Sequence, residues 1–260
     1  MGNIKDAKRI VIKVGTSTLT YENGKPNIRR IDHLCRVISD LCNAGREIVL
    51  VTSGALGVGV GKLGLSERPK DVAGRQAMAA VGQCELMFLY DKIFSEYGMN
   101  VAQILLTRYD VENEHHKGNV IECISALLQM SIIPIVNEND TVSITELMFT
   151  DNDELSGLIA EMTKSQCLII LSNIDGFYTG NPSESDSHLI RVVNRGCDLS
   201  QYIQKTKSTA GRGGMQSKYC VASRLASSGI GVVIANGKRE NILLKVMTER
   251  DKTPCTEFLC

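Results

Sequence analysis

The chain has 260 residues, of which 43% are hydrophobic and 22% charged, a balance that excludes an intrinsically disordered protein. Lysine plus arginine equals aspartate plus glutamate at 29 each, so the net charge gives no reason to expect nucleic acid or an anionic membrane as a partner. We therefore expect a globular protein with a core large enough to need no disulfides.

The cysteines and the N-terminal segment predict a cytoplasmic protein. The 9 cysteines form no CxxC pair, and most sit in apolar stretches, so we expect reduced, hydrophobic side chains. The segment MGNIKDAKRIVIKVG interrupts its apolar run with Lys13, unlike a signal or transit peptide. No apolar run approaches the length of a membrane span.

Short β-branched runs alternate along the chain with longer segments of helical period. The predicted strands cover 9–14, 46–53, 100–107, 132–137, 167–172 and 231–236. The predicted helices cover 28–42, 71–96, 118–130, 152–163 and 214–228. Nearly continuous apolar strands between helices predict an α/β fold with a mainly parallel sheet covered on both faces. No linker divides the chain, so we expect a single domain.

The residues just after the strands are where we expect chemistry, because parallel sheets bind ligands outside the carboxyl ends of their strands. Small polar residues and glycine follow the strands in Lys13-Val-Gly-Thr-Ser-Thr, Ser53-Gly-Ala-Leu-Gly, Asn137-Glu-Asn-Asp-Thr, Ser172-Asn-Ile-Asp-Gly and Asn236-Gly-Lys-Arg. Donor-rich turns on neighbouring strands would face one crevice.

The segment Gly59-Val-Gly-Lys-Leu-Gly64 matches the dinucleotide pattern GxGxxG, but its context does not. The fingerprint opens directly after a strand, and an acidic residue follows about 20 residues later. Here the predicted strand ends earlier, at Thr52 or Ser53, and a long helix follows. The phosphate-loop pattern GxxxxGK[ST] also fails here. The sequence therefore does not favour a dinucleotide-dependent dehydrogenase.

Two strand ends carry groups that suit a phosphoryl oxygen. Lys13 lies within the apolar run IVIKV, where burial is costly unless a partner or ligand neutralises the charge. An edge strand with the lysine in water is the alternative. Gly15-Thr-Ser then adds backbone N–H and hydroxyl donors. Ser53-Gly-Ala repeats the pattern, although a serine helix cap would look the same.

Acidic residues begin the helix predicted at 152–163. Asp151 suits the N-cap and Glu154 the third position of a capping box, so both have a structural explanation. Asp153 is not needed for the cap, and its carboxylate could orient two lysines or a metal ion. The segment Asn137-Glu-Asn-Asp140 adds amides and a carboxylate suited to an amino-acid zwitterion.

The stretch GRGGMQSK, residues 211–218, fits either a flexible surface loop or a phosphate-binding turn. Its glycines permit positive φ and let backbone N–H groups approach an anion at the start of the next helix. Lys218, in the first turn, can reach the same anion. Together with Lys13 and Asp153, this stretch favours phosphate binding.

By the order and spacing of its motifs, the chain resembles the amino acid kinase family, and within it the glutamate 5-kinases. The motifs are KVGTSTLT, VTSGALGVG, NENDTV, FTDNDELS, DGFYTGNP and GRGGMQSK, and the resemblance covers essentially the whole chain. It implies a three-layer αβα sandwich and transfer of the ATP γ-phosphoryl group to the side-chain carboxylate of L-glutamate, the first step of proline biosynthesis. Residues 1–163 would bind glutamate, and residues 164–260 would bind ATP, which brings Mg²⁺.

The resemblance also implies roles for individual residues. Lys13 and Lys218 would neutralise the transferring group, Asp153 would hold both lysines, and the N–H groups of Gly15 and Gly54 would contact phosphates. The glutamate site would contain Ser53, Gly54, Ala55, Asn137, Asp140 and Asn152. The ATP site would contain Lys13, Gly15, Ser172, Asn173, Arg212, Gly213, Gly214, Met215, Gln216, Ser217 and Lys218. No metal ligand is assigned.

The chain departs from the family pattern in three places. Ser172-Asn173 and Asn181-Pro182 stand where members commonly have Thr-Asp and Asp-Pro, and we expect no counterpart of the RNA-binding-type (PUA) domain that many bacterial members carry. We expect the core to act alone, as a homo-oligomer, with proline as a candidate feedback inhibitor. The alternatives are N-acetylglutamate, aspartate, UMP or carbamate as acceptor, or a non-catalytic sensor. The NENDTV and SGALGVG motifs favour glutamate.

Overall fold

Strands and helices alternate in the computed structural model, which describes residues 4–143, 149, 151–203 and 214–260. The strands are β1 (Arg9–Val14), β2 (Glu47–Val51), β3 (Asn100–Leu106), β4 (Ile132–Glu138), β5 (Cys167–Ser172), β6 (Phe177–Tyr178), β7 (Leu189–Ile190), β8 (Val192–Val193), β9 (Gly231–Asn236) and β10 (Cys255–Phe258). The helices are α1 (Thr16–Leu19), α2 (Ile28–Asn43), α3 (Ala55–Lys62), α4 (Val72–Glu96), α5 (Arg108–Glu112), α6 (Glu114–Gln129), α7 (Asn152–Met162), α8 (Met215–Ser227) and α9 (Ile242–Thr248).

The main sheet has eight strands in the order β3-β4-β2-β1-β5-β9-β10-β8. The strands from β3 to β9 are mutually parallel, whereas β10 runs antiparallel to β9. β1 pairs with β2 on one side and with β5 on the other. The chain therefore reverses its direction of strand addition at β1, and such a switch point is where parallel sheets open a ligand crevice.

Helices cover both faces of the sheet, because alternate side chains of each buried strand point to opposite sides. On one face, α2, α3, α4 and α9 pack with the strand residues Ile10 and Ile12. On the other face, α6, α7 and α8 pack around Val11 and Leu168. The predicted α/β class and three-layer αβα sandwich are confirmed. None of the described helices is both long and apolar enough to cross a membrane.

The predicted elements agree with the structure in position, with differences at the ends. The strands at 9–14, 167–172 and 231–236 match residue for residue. The helix predicted at 118–130 instead begins at Glu114, because the Asn113 side chain accepts hydrogen bonds from the N–H groups of His115 and His116 and caps it earlier. β2 ends at Val51, before the predicted end at Ser53.

The expectation for the cysteines is only partly correct. All of them are free thiols, and Cys35, Cys167 and Cys255 are buried. Burial raises the pKa of the Cys35 and Cys167 thiols. However, four cysteines are exposed rather than packed in apolar surroundings: Cys84, Cys123, Cys197 and Cys220. Cys84 and Cys123 lie on the solvent sides of α4 and α6, where a short apolar stretch in the sequence does not imply burial.

Candidate active site

Two lysines and one carboxylate form a buried ion cluster at the carboxyl end of β1. Lys13 Nζ lies 2.6 Å from Asp153 Oδ1, and Lys218 Nζ lies 2.9 Å from Asp153 Oδ2. Asp153 has no exposed surface, and each lysine is less than one-tenth exposed. β1, α7 and α8 each contribute one of the three residues. The structure thus brings together the residues that the resemblance assigned to catalysis.

The charge of Asp153 is fixed by its two partners. Burial alone would raise the pKa of this carboxyl, but the positive charges of Lys13 and Lys218 and their hydrogen bonds outweigh burial and hold the pKa below its ordinary value. Asp153 is therefore a carboxylate at neutral pH. The three groups together carry one more positive charge than negative charge, which suits an incoming anion.

The lysines form part of the wall of a cavity of about 230 Å³ at the ends of β1, β2, β4 and β5. The predicted site residues that line it are Lys13, Gly15, Ser53, Gly54, Ala55, Asn137, Asp140, Asn152, Ser172, Asn173 and Lys218. Both halves of the chain contribute to it. Leu171 and the Ser172–Asn173 pair reach it from the C-terminal half, and Ser172 Oγ lies 3.4 Å from Asn173 Oδ1.

The remaining predicted nucleotide residues lie beside this cavity or outside the described residues. Gly214 is the N-cap of α8, and Met215, Gln216 and Ser217 begin its first turn, which leads to Lys218. Gln216 Nε2 donates to Cys220 Sγ at 3.4 Å. Arg212 and Gly213 lie outside the part of the chain that the structure describes.

Backbone donors face the cavity from the turns after β1 and β2. Gly54 caps α3 with φ +99°, a left-handed conformation that favours glycine. The first hydrogen bond within α3 runs from Val58 N to Gly54 O, so the N–H groups of the preceding turn have no acceptor inside the helix. Gly15 N–H donates to Leu171 O at 3.4 Å, a long bond that a phosphate oxygen would have to share or replace.

Side-chain amides hold the opposite side of the cavity in a fixed arrangement. Asn152 Nδ2 faces Thr52 O, lies 3.0 Å from Ser53 Oγ and 2.8 Å from Asn137 Oδ1. Because one amide nitrogen carries two hydrogens, at least one of these three oxygens receives no hydrogen from Asn152 at any moment. Asn137 Nδ2 in turn donates to Gln83 Oε1 at 2.8 Å, so α4 supports the cavity from behind.

Acidic side chains line the same region. Asp151 Oδ1 accepts from the N–H groups of Asp153 (2.8 Å) and Glu154 (3.0 Å), which confirms Asp151 as the cap of α7. Glu154 itself pairs with Arg108, whose Nη2 lies 2.9 Å from Oε2. Glu138 accepts from Phe149 N at 3.1 Å and also reaches the cavity.

Sequence reasoning missed two residues of this region. Arg68 lines the cavity from the loop between α3 and α4, which follows a helix and not a strand. Gln83 is a buried polar residue in the middle of α4, and only its tertiary contact with Asn137 reveals its role. A glutamine in the otherwise small and apolar segment AAVGQ was the signal available for it.

A model of the amino acid kinase family matches residues 8–236 of the chain. The chain belongs to the amino acid kinase family. Within this family, it is 49% identical over 254 residues to the glutamate 5-kinase of Clostridium perfringens (strain 13 / Type A). The aligned region covers 95% of this chain and 94% of the relative. It is 45% identical to the glutamate 5-kinase of Enterococcus faecalis (strain ATCC 700802 / V583), over 95% and 94% of the two chains. The resemblance predicted from the motifs is confirmed.

Several solved structures share the fold of this chain at much lower sequence identity. Carbamate kinase from Giardia lamblia bound to AMP-PNP superimposes with a TM-score of 0.69 at 14% identity, over 98% of this chain and 99% of that chain. UMP kinase from Ureaplasma parvum gives a TM-score of 0.66 at 15% identity, over 97% and 99% of the two chains. At these identities the likeness concerns the fold alone, and it agrees with the sandwich described above.

Proposed function

We propose that the chain transfers the γ-phosphoryl group of ATP to the side-chain carboxylate of L-glutamate, producing L-glutamyl 5-phosphate and ADP. The observation that carries this proposal is the pair of buried lysines held by Asp153 at the wall of a polar cavity. The relatives named glutamate 5-kinase, similar over nearly their whole length, supply the identity of the acceptor.

The reaction needs no general base at this site. The side-chain carboxyl of free glutamate, whose ordinary pKa is about 4.3, is already ionised at neutral pH, so its oxygen can attack the γ-phosphorus directly. The bond from that phosphorus to the bridging oxygen breaks, and ADP leaves with the electron pair. Lys13 and Lys218 stabilise the negative charge spread over the transferring oxygens, while Asp153 keeps both ammonium groups in place.

Glutamate and ATP would occupy different parts of the cavity. We assign the substrate ammonium to the side containing Asp140 and Asn137, with Ser53 and Asn152 as further polar contacts and Gly54 and Ala55 offering backbone N–H groups. ATP would extend from Gly15 past Ser172 and Asn173 towards the first turn of α8. This arrangement supports the division into a glutamate-binding part (about 1–163) and an ATP-binding part (about 164–260) within one domain.

The described residues fit a magnesium ion carried by the nucleotide better than a metal centre built by the protein. Among them, no three His, Cys, Asp or Glu side chains converge to hold a metal ion. Mg²⁺ commonly binds through substrate phosphates and one or two carboxylates. Asp151 lines the cavity, and its buried Oδ2 has no hydrogen-bond partner among the described residues, so this carboxylate could help to hold the ion. When bound, Mg²⁺ neutralises phosphate charge.

Three further expectations belong to this proposal. A role in proline biosynthesis is implied by the likeness to the relatives named glutamate 5-kinase. Inhibition by proline and a homo-oligomeric assembly stay predictions from the resemblance. A cytoplasmic location likewise stays a prediction.

An acceptor panel tests the proposed function. Purified protein with Mg-ATP is offered L-glutamate, L-aspartate, N-acetyl-L-glutamate, UMP or carbamate in the presence of hydroxylamine. Hydroxylamine converts an acyl phosphate into a hydroxamate, which forms a coloured complex with iron(III). We expect hydroxamate with glutamate at a rate well above that with any other acceptor. A stronger signal with aspartate or N-acetylglutamate would refute the assignment. ADP release with UMP and no hydroxamate would identify a different kinase, and ATP binding without turnover would identify a sensor.

A further inference from the structure

Arg68 lies in the loop between α3 and α4 and lines the active-site cavity. Its Nη2 atom is 3.9 Å from the position that a Cβ on Gly57 would occupy, which places the guanidinium group beside the first turn of α3. Apart from Lys13 and Lys218, no other cationic side chain of the described residues lines this cavity. Arg68 is exposed, so a ligand can reach it.

The two lysines and the acidic side chains of the cavity leave the α-carboxylate of the substrate without a charged partner. Glutamate carries two carboxylates and one ammonium group at neutral pH. In the proposed reaction, the side-chain carboxylate approaches the two lysines, and the ammonium group meets acidic residues. The other ionisable side chains that line the cavity, Glu138, Asp140 and Asp151, would repel the α-carboxylate. Arg68 is the described cation that remains for it.

Arg68 is also uncommitted within the described structure. Other arginines of the chain are held by carboxylates, such as Arg108 by Glu154 at 2.9 Å and Arg239 by Asp175 at 2.6 Å. For Arg68, no hydrogen bond or ion pair with another described residue is found. A guanidinium group without a protein partner can offer two parallel N–H donors to a carboxylate. The N–H groups at the start of α3 lie beside it and favour an anion at the same place.

We propose that Arg68 binds the α-carboxylate of the amino-acid substrate and makes the site select acceptors that carry this group. The inference rests on the proposed function, since it assigns a role towards glutamate. Arg68 acts on recognition rather than on the reacting atoms. Its removal should therefore raise KM more than it lowers kcat.

The experiment compares two substrates in the hydroxamate assay. L-glutamate 1-amide keeps the reacting side-chain carboxylate and the ammonium group but replaces the α-carboxylate by a neutral amide. For Arg68→Gln we expect kcat/KM with glutamate to fall about 10- to 100-fold, the range for a lost charged hydrogen bond, mostly through KM. With the 1-amide, the same variant should change kcat/KM less than about 3-fold. If the 1-amide turns over too slowly, its inhibition constant against glutamate provides the comparison.

Matched variants separate recognition from structure. Lys70→Gln removes a positive charge from the same loop at an exposed position outside the cavity and should leave both substrates unchanged. Arg68→Lys should recover part of the lost glutamate affinity, because it restores the charge without the planar fork. Thermal unfolding of each variant checks that the fold is retained.

The outcomes distinguish this inference from the proposed function. Wild-type protein that forms no glutamyl hydroxamate would refute both. Two results would refute only the role of Arg68, provided that the wild-type protein is active with glutamate. In the first, Arg68→Gln lowers kcat/KM equally for glutamate and the 1-amide. In the second, the variant keeps the wild-type preference for glutamate over the 1-amide.

Discussion

Asp153 determines how Lys13 and Lys218 can act. Burying a charge is costly unless it is paired with good geometry, and here each carboxylate oxygen meets one ammonium group. The shared carboxylate allows the two ammonium groups to lie close together, because its negative charge offsets part of their repulsion. It also keeps their positions fixed before substrates arrive, so little reorganisation is needed when negative charge develops in the transition state.

Replacing Lys218 by alanine tests the role of this lysine in turnover. We expect kcat to fall by about 10²- to 10³-fold, the usual effect of removing one transition-state donor. Breaking a buried ion pair typically costs about 3–5 kcal/mol. Because Asp153 remains paired with Lys13 in this variant, we expect a smaller loss in the free energy of unfolding. Hydroxamate formation and urea unfolding give the two values. Lys92→Ala, an exposed lysine of α4, is the control, and near-normal turnover of Lys218→Ala would contradict the role.

The sequence predicts some site residues better than others for a physical reason. Lys13 stands out because a charge within an apolar strand demands a partner, and Asp153 because the helix cap does not need it. Both signals are local. Arg68 and Gln83 enter the site only through tertiary packing of α3 and α4 against the strand ends. The polar Gln83 within an apolar segment signals a partner but does not identify it.

Close packing of α3 against α4 positions the turn after β2. A Cβ on Gly82 would lie 1.8 Å from Ala55 O, and a Cβ on Gly59 would lie 1.9 Å from Met78 O. Only glycine lets the two backbones approach this closely. The GxGxxG match at Gly59 to Gly64 therefore includes glycines that serve helix packing, in agreement with the interpretation against dinucleotide binding.

An alanine at Gly82 tests this contact. The added methyl group must push α3 away, so we expect a loss of about 1–3 kcal/mol in the free energy of unfolding. We also expect a higher KM for glutamate, because Gly54 and Ala55 move with α3. The matched control is Gly118→Ala in α6, where the new Cβ meets no atom within 4 Å and should stabilise by about 0.4–1 kcal/mol. Equal stability of the two variants would contradict the packing account.

The same contact explains why α3 forms a helix that the sequence analysis does not predict. The segment ALGVGVGK contains three glycines, which disfavour a helix in isolation. Burial against α4 outweighs that local cost in the folded protein. By contrast, α2 follows its apolar periodicity closely over Ile28–Asn43.

The site exists only when the whole sheet is assembled. β1 lies between strands from both halves of the chain, and α7 and α8 bring Asp153 and Lys218 to its carboxyl end. The sequence predicts a parallel sheet with ligands at these ends. It does not reveal the strand order or the antiparallel β10, because strand pairing depends on contacts between distant segments.

The central claim is that a glutamate oxygen attacks the γ-phosphorus of ATP at this site. It can be measured with L-glutamate labelled with ¹⁸O in its side-chain carboxylate, Mg-ATP and hydroxylamine. Hydroxylamine attacks the carbonyl carbon of the acyl phosphate and releases phosphate together with the bridging oxygen. We predict one ¹⁸O atom per released phosphate, visible as an isotope shift in the ³¹P spectrum. Phosphate without label, or labelled only when the water carries ¹⁸O, would contradict the account.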